Sequence, residues 1–447
     1  MATFSIENFG CRATEADASA IRRKLLGGGL TLAAEHASAD FVVLNTCTVT
    51  AAADSQAREA IRKIHRANPR ARIVVTGCYA QRAPEELAGI DGVACVVGNS
   101  HQAEIPGLVR AMRTESAADS SADFVPLAQL DGGATHLARG MAKILTGNIF
   151  AQSTVSIAPA AFMAGEDGHT RPILKIQDGC NNRCSYCVIP FVRGRSRSLP
   201  PDGVVQEICS LVSAGAKEIV LSGINLGSYG RDLSPRAGLA GLVRRILDET
   251  ALERLRFSSI EPQDITEDFA ALVASSERIA PHFHVPLQSG SDRILRAMHR
   301  WYRAEHYAER IGLIRRLLPD AAIGADVIVG FPGESDDDFR ATSEFIARLP
   351  LTYLHVFSFS ARPDTKAAGL GGEVPAQTIR ERARALRLLS EEKSAAFRAS
   401  QAGRNLRALT LARSCEDWTE ALTGNYLKVR IAGRHPANEW HEVRIVS

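Results

Sequence analysis

The sequence predicts an α/β protein in three parts: a small doubly wound N-terminal domain, an open barrel of six β/α units, and a small C-terminal β-barrel. Three patterns predict it. Over residues 1–112, short β-branched runs alternate with helical stretches. Between residues 171 and 360, six strand-like runs recur at intervals that leave room for a helix. From about residue 400 the pattern changes to alternation of apolar and polar residues, as in strands with one buried face.

In the first part, residues 4–8, 40–44 and 71–75 suit parallel strands buried on both faces. Residues 55–67 read as a helix, stopped by Asn68-Pro69. Residues 113–165 are rich in small polar residues at 114–122 and carry Gly132-Gly133, so a linker or surface insertion with little core is expected. Residues 166–399 hold the six strands, at 173–177, 218–222, 256–260, 282–286, 322–329 and 353–359, and then a charged helix at 380–398. Six units favour an open parallel barrel over the closed eight-fold form. The tail, residues 400–447, offers strands at 406–411, 426–431 and 441–446. About 50 residues make a marginal independent core, so the tail is expected to pack on the larger barrel.

Composition excludes several classes. At 447 residues, 45% hydrophobic and 23% charged, the chain reads as a globular protein of two or three domains. A formal charge of +3 means that nucleic-acid contacts must come from local patches. No apolar run approaches the roughly 20 residues of a membrane span, and Met1–Glu7 lacks the pattern of a secretory signal. A cytoplasmic location is expected, where clustered thiols hold metal or do redox work more often than they form disulfides.

Cys180, Cys184 and Cys187 are separated by three and then two residues, with Tyr186 before the last. Thiolates are the ligands of iron–sulfur cubanes, which normally take four. Three leave one iron open to a small molecule. Zinc is the alternative, but its structural sites close with four protein ligands, and no further Cys or His follows this loop closely. A disulfide with a spare thiol ranks below both. Placed at the end of the first barrel strand, the loop lies where such folds build ligand sites.

Cys11, Cys47 and Cys78 are distant in sequence, yet each follows a strand-like run. Parallel strands end along one edge of a sheet, so the three loops are expected to converge on a second three-thiolate site. Cys95, Cys209 and Cys415 have no such pattern and read as ordinary packing residues.

The loop at 180–187 resembles the signature of radical S-adenosylmethionine (SAM) enzymes. The whole chain resembles the methylthiotransferase family within them, through Asn45-Thr-Cys-Thr-Val49, Thr76-Gly-Cys-Tyr-Ala-Gln81, Lys175-Ile-Gln-Asp-Gly-Cys180, Arg193-Gly-Arg-Ser-Arg197 and Gly330-Phe-Pro-Gly-Glu334. Residues 70–81, Leu354-His-Val-Phe357 and Asn425-Tyr-Leu-Lys-Val429 resemble the branch acting on N6-threonylcarbamoyladenosine beside the tRNA anticodon. The resemblance implies two [4Fe-4S] clusters, SAM on the open iron at Cys180, Cys184 and Cys187, and an auxiliary cluster on Cys11, Cys47 and Cys78. It further implies a 5′-deoxyadenosyl radical, a C-terminal RNA-binding barrel of TRAM or OB type, a flavodoxin- or ferredoxin-type electron donor, a tRNA anticodon stem-loop as substrate and a monomeric chain. Where relatives usually carry Asn near position 13, this chain has Ala13.

Within that frame, Gly223 and Asn225 after the second barrel strand, and Ser259, Glu261 and Gln288 after the third and fourth, are candidate SAM contacts. Arg193, Arg195 and Arg197 follow the cysteine loop and are expected to meet phosphates, with Tyr426, Lys428 and Arg430 contacting RNA in the tail. Two other substrates fit the same chemistry: a ribosomal-protein aspartate and N6-isopentenyladenosine in tRNA. A zinc-ordered RNA-binding protein is the non-enzymatic alternative.

Overall fold

The computed structural model describes residues 2–115, 135–136, 142–153, 155 and 170–446. The described residues divide into two compact units. One takes those within 1–161, 178–182 and 187–197; the other takes those within 162–177, 183–186 and 198–447.

The first unit is built on a seven-stranded sheet. Its strands are β1 (Thr3–Asn8), β2 (Thr31–Leu32), β3 (Phe41–Thr46), β4 (Arg72–Gly77), β5 (Val93–Gly98), β6 (Thr135–His136) and β7 (Lys143–Leu145), in the order β2-β1-β3-β4-β5-β7-β6. All pairings are parallel except β6 with β7. The two-residue period of a strand sends alternate residues to opposite faces. Val42, Leu44, Ile73 and Val75 pack in one core with Ala57, Ile61 and Ile64 of the helix Ala51–Ala67. Phe41, Val43 and Val74 pack in the other with Ile21 and Leu25 of the helix Arg12–Gly27. Thr50 caps the former helix, its hydroxyl accepting from Ala53 N at 3.2 Å.

Lys143–Leu145, expected in a linker, instead add a strand beside β5, with Cys95 opposite Lys143. Ile144 and Leu145 are buried, one in each core. Burial of these two apolar side chains, with backbone pairing to the open edge of β5, draws the segment into the sheet. Most of the rest of that predicted linker lies outside the described residues.

In the second unit, β8 (Ile173–Asp178), β9 (Arg197–Ser198), β10 (Glu218–Gly223) and β11 (Arg254–Phe257) form one sheet, ordered β11-β10-β8-β9. A second comprises β12 (His282–His284), β13 (Ala322–Val329) and β14 (Tyr353–Ser358). The pairings β8–β10, β10–β11, β12–β13 and β13–β14 are parallel, and parallel bridges Leu255–Ile279 and Ser259–His284 continue the run between the sheets. The helix Ala376–Ser400 packs along β14, where Ser390 Oγ donates to Leu354 O and accepts from Leu354 N.

The tail forms a four-stranded antiparallel sheet of β15 (Asn405–Ser414), β16 (Trp418–Thr423), β17 (Lys428–Ala432) and β18 (Trp440–Arg444), ordered β17-β16-β15-β18. Sequence reading missed β16, a central strand, because Glu420-Ala-Leu422 suits a helix as well as a strand. The sheet is anchored by Arg256, which is fully buried. Its guanidinium pairs with Glu218 at 2.7 Å and donates to the carbonyls of Thr423 and Gly424 at 3.1 and 3.0 Å. No helix among the described residues is long and apolar enough to cross a membrane.

Candidate functional site

Three parallel strands of the first unit each deliver a cysteine just beyond their C-terminal ends. Cys11 caps the helix after β1, Cys47 follows β3, and Cys78 opens the helix Cys78–Arg82 after β4. The loops approach closely. A side chain on Gly10, where φ is +130°, would place its Cβ 2.8 Å from Cys47 Cβ and 3.3 Å from its sulfur. Burial pushes the Cys47 thiol up to about 12, and the neighbouring Cys78 and Cys11 sulfurs push the same way. Burial raises the Cys78 thiol as well, and closely placed thiolates form a donor set suited to a soft cationic group, which removes their mutual repulsion.

Arg193 supplies one compensating charge. Expected at a surface, it is instead 2% exposed. Its Nε donates to Cys78 Sγ at 3.2 Å, its Nη1 to Asp178 Oδ1 at 3.1 Å, and its Nη2 to Asp17 Oδ2 at 2.8 Å. The helix Ile189–Arg193 directs it inward by packing Val188 and Val192 on Cys78. Burial alone would lower the guanidinium, but Cys78, Asp178 and Asp17 outweigh it and hold the pKa well above the ordinary value. Asn99 Nδ2 adds a weaker donor to Cys78 Sγ at 3.6 Å and bonds Val192 O at 2.9 Å. Arg193 is thus unavailable to a phosphate. So is Arg197, also buried, whose Nη1 donates to Arg193 O and Arg195 O at 2.9 and 3.0 Å. Arg195 is exposed.

Within the first unit, Cys180 N donates to Gly194 O at 3.0 Å and Cys180 Sγ accepts from Asn182 N at 3.4 Å. Gly179 has φ +71°, and a Cβ there would lie 2.0 Å from Arg195 O, so only glycine fits. Within the second unit, Cys184 Sγ accepts from Arg300 Nη1 at 3.3 Å, while Arg300 Nη2 pairs with Glu261. The loop is held by Ser185 Oγ on Ala297 O at 2.8 Å, with Tyr186 packed against Ile294, Met298, Phe331 and Ala367. Sequence reading missed Arg300; a basic residue 116 positions from Cys184 gives no local signal.

The remaining candidates divide. Asn225 N donates to Gln177 Oε1 at 2.8 Å, while Asn225 Oδ1 is buried with no hydrogen-bond partner among the described residues. Such an orphaned acceptor fits a ligand donor. The neighbouring Gly223 lies against Gln177: a Cβ on it would be 2.9 Å from Oε1. Glu261 has its pKa raised by burial, against the pull of Arg300. Ser259 Oγ is engaged by His284 Nδ1 at 2.7 Å, and Gln288 is buried with φ +68°. In the tail, Tyr426 does not present a free ring. With φ +67° it stacks on His282 at 4.1 Å, with Arg256 over it at 5.3 Å. Lys428 and Arg430 are exposed, Lys428 lying 3.4 Å from Glu420 and Arg430 over the Trp418 ring at 4.4 Å.

Comparison with known proteins agrees with this arrangement. Residues 174–346 match the Radical SAM superfamily, the class that the parallel strands and the cysteine loop define and one that uses SAM and a [4Fe-4S] cluster. Solved structures share the fold: the radical SAM methyltransferase TsrM from Kitasatospora setae superposes with a TM-score of 0.58 at 18% identity over 82% of this chain and 74% of that one. Residues 3–98 match uncharacterized protein family UPF0004. "Threonylcarbamoyladenosine tRNA methylthiotransferase MtaB" of Aquifex aeolicus is 36% identical over 96% of each chain, and its namesake in Bacillus subtilis is 33% identical over 100% of this chain and 97% of that one. "tRNA-2-methylthio-N(6)-dimethylallyladenosine synthase" of Syntrophobacter fumaroxidans is 36% identical over 83% and 76%. The chain belongs to the MtaB-type family of radical SAM methylthiotransferases.

Proposed function

We propose that this protein methylthiolates C2 of N6-threonylcarbamoyladenosine at position 37 of tRNA. The observation that carries the reading is the gathering of Cys11, Cys47 and Cys78 beyond the ends of β1, β3 and β4. The relatives matched over nearly their full length bear the threonylcarbamoyladenosine name, whereas the dimethylallyl relative matches over less of both chains. In this reading the second unit is an open (βα)6 barrel and the tail an RNA-binding module of TRAM type.

Cys180, Cys184 and Cys187 would hold the [4Fe-4S] cluster that, with SAM bound, supplies the radical needed to open an unactivated C–H bond. Cys11, Cys47 and Cys78 would hold a second cluster as the source of sulfur. Arg193 and Asn99 orient Cys78, and Arg300 orients Cys184 with Glu261 behind it. Asn225 and Gly223 would receive SAM through the free Oδ1 and the narrow strand end, with Ser259, Glu261 and Gln288 further candidates for SAM contacts. Arg195, Lys428 and Arg430 remain available for phosphates. Electrons would come from a flavodoxin- or ferredoxin-type donor.

Mass spectrometry of tRNA nucleosides with and without the protein tests the reading. Loss of the methylthio form of threonylcarbamoyladenosine is expected on deletion. A loss confined to a ribosomal-protein aspartate or to isopentenyladenosine overturns the substrate. Anaerobic protein should hold roughly eight irons with matching sulfide, as two cubanes require; zinc without iron would refute the enzyme.

A further inference from the structure

His284, Asp326 and His355 present three ligand atoms within 4.8 Å of one another, on three adjacent parallel strands. The register explains why. Asp326 on β13 lies opposite His355 on β14, and His284 on β12 pairs with Gly324, two residues before Asp326 and so on the same face. Leu354 is buried and His355 exposed, so the two neighbours turn to opposite faces of the strand. His284 Nε2 stands 3.1 Å from Asp326 Oδ1, and His355 Nδ1 stands 3.2 Å from the same oxygen.

These spacings suit a cation. An ion about 2.1 Å from Asp326 Oδ1 and from an imidazole nitrogen would subtend about 95–100° at that His–Asp pair, between octahedral and tetrahedral values. His284 is pre-oriented as a ligand, because its other nitrogen lies 2.7 Å from Ser259 Oγ. A serine hydroxyl can accept from Nδ1–H, which leaves Nε2 free to coordinate. His355 is half exposed, so the cluster has an entry path and coordination positions open to oxygen donors.

We propose that His284, Asp326 and His355 form a binding site for one divalent transition-metal cation, separate from the cysteine sites. Two imidazoles with one carboxylate and open positions are the donor set of non-haem iron(II) and of catalytic zinc sites. This site goes beyond the function proposed above and does not depend on it.

Manganese(II) added to anaerobic, cluster-loaded protein is the probe, followed by loss of the free-ion signal in electron paramagnetic resonance, with zinc as competitor. The wild type should bind one equivalent that zinc displaces. Asp326→Asn should abolish that equivalent, and His355→Ala should weaken it at least as much as Ser259→Ala, about 10–100-fold for loss of an orienting partner. His355→Ala at an exposed position keeps the test valid if Asp326→Asn fails to fold. A free-ion signal undiminished by the wild type, or binding unchanged in His355→Ala, overturns the site and leaves a proton-linked His–Asp–His chain. Modification of tRNA is not the readout, so failure here would leave the proposed function standing.

Discussion

Replacing Arg193 with Met should damage the first unit severely while leaving its surface unaltered. The side chain is 2% exposed and pairs with Asp17 at 2.8 Å and Asp178 at 3.1 Å, themselves 3% and 8% exposed. Methionine has similar length but removes the cation that Asp17 and Asp178 share, leaving Asp178 only the more distant Arg197 at 3.9 Å. Breaking one buried pair in this way costs about 3–5 kcal/mol. For a unit of this size each kcal/mol shifts the melting temperature by about 2–4 °C, so a fall of roughly 6–20 °C is expected. Cys78 also loses its N–H donor and nearby charge, so, if it ligates the cluster proposed above, iron content should drop and that cluster's potential should move negative. The assay is thermal unfolding of anaerobic protein beside iron analysis and a redox titration. Arg195→Ala, two residues away and exposed, is the control: its stability should stay within about 0.5 kcal/mol of wild type. An Arg193→Met protein that melts like wild type, but binds tRNA weakly, would refute the internal role and restore Arg193 to the RNA surface.

Other consequences can be measured directly. Burial pushes Glu218 up, but Arg256, Arg171 and Arg254 outweigh it and hold the carboxyl down to about 2, against an ordinary 4.5. Its ionisation therefore stabilises the fold above pH 4.5, and that contribution, about 3 kcal/mol, is lost as pH falls from 4.5 toward 2; Glu218→Gln should lower stability at pH 7 and flatten the acid limb of a pH–melting curve. Cys95, buried in a core with its thiol raised to about 12 chiefly by burial, should tolerate Cys95→Ala at a cost of about 1 kcal/mol with iron content unchanged, whereas Cys47→Ala should remove roughly half the iron. Arg195→Ala, Lys428→Ala and Arg430→Ala should each weaken tRNA binding and reduce the salt slope by about 1 for each phosphate no longer neutralised; an unchanged slope in all three would place the RNA elsewhere.

What the sequence revealed follows the range of the forces involved. The spacing of Cys180, Cys184 and Cys187 is local, and the two-residue period along residues 41–46 and 72–77 shows which faces are buried, so both cysteine groups could be singled out as candidates. Arg193 and Arg195 were not distinguishable, because the choice between them is made by Asp17, 176 residues away, and by the turn of a five-residue helix. Tyr426 read as an RNA platform on the strength of its basic neighbours; its positive φ and the His282 ring decide otherwise. Strand β7 has three residues, too few to show a period, and its place is set by the open edge of β5. The His284–Asp326–His355 cluster depends on register across three strands, which no single segment encodes.

The grip of Arg256 on the carbonyls of Thr423 and Gly424 changes how the tail must be studied. A truncation near residue 404, intended to subtract RNA affinity alone, would also bare a guanidinium–carboxylate pair and strip Tyr426 from His282. Trp440 Nε1, which donates to Glu253 at 2.8 Å, would go with it. The tail is a wall of the second unit as well as an appendage. The RNA-binding role proposed for it is better tested by point changes on its outer strands than by its removal, and a tail transplanted from a relative should bring the matching Arg256 surroundings with it.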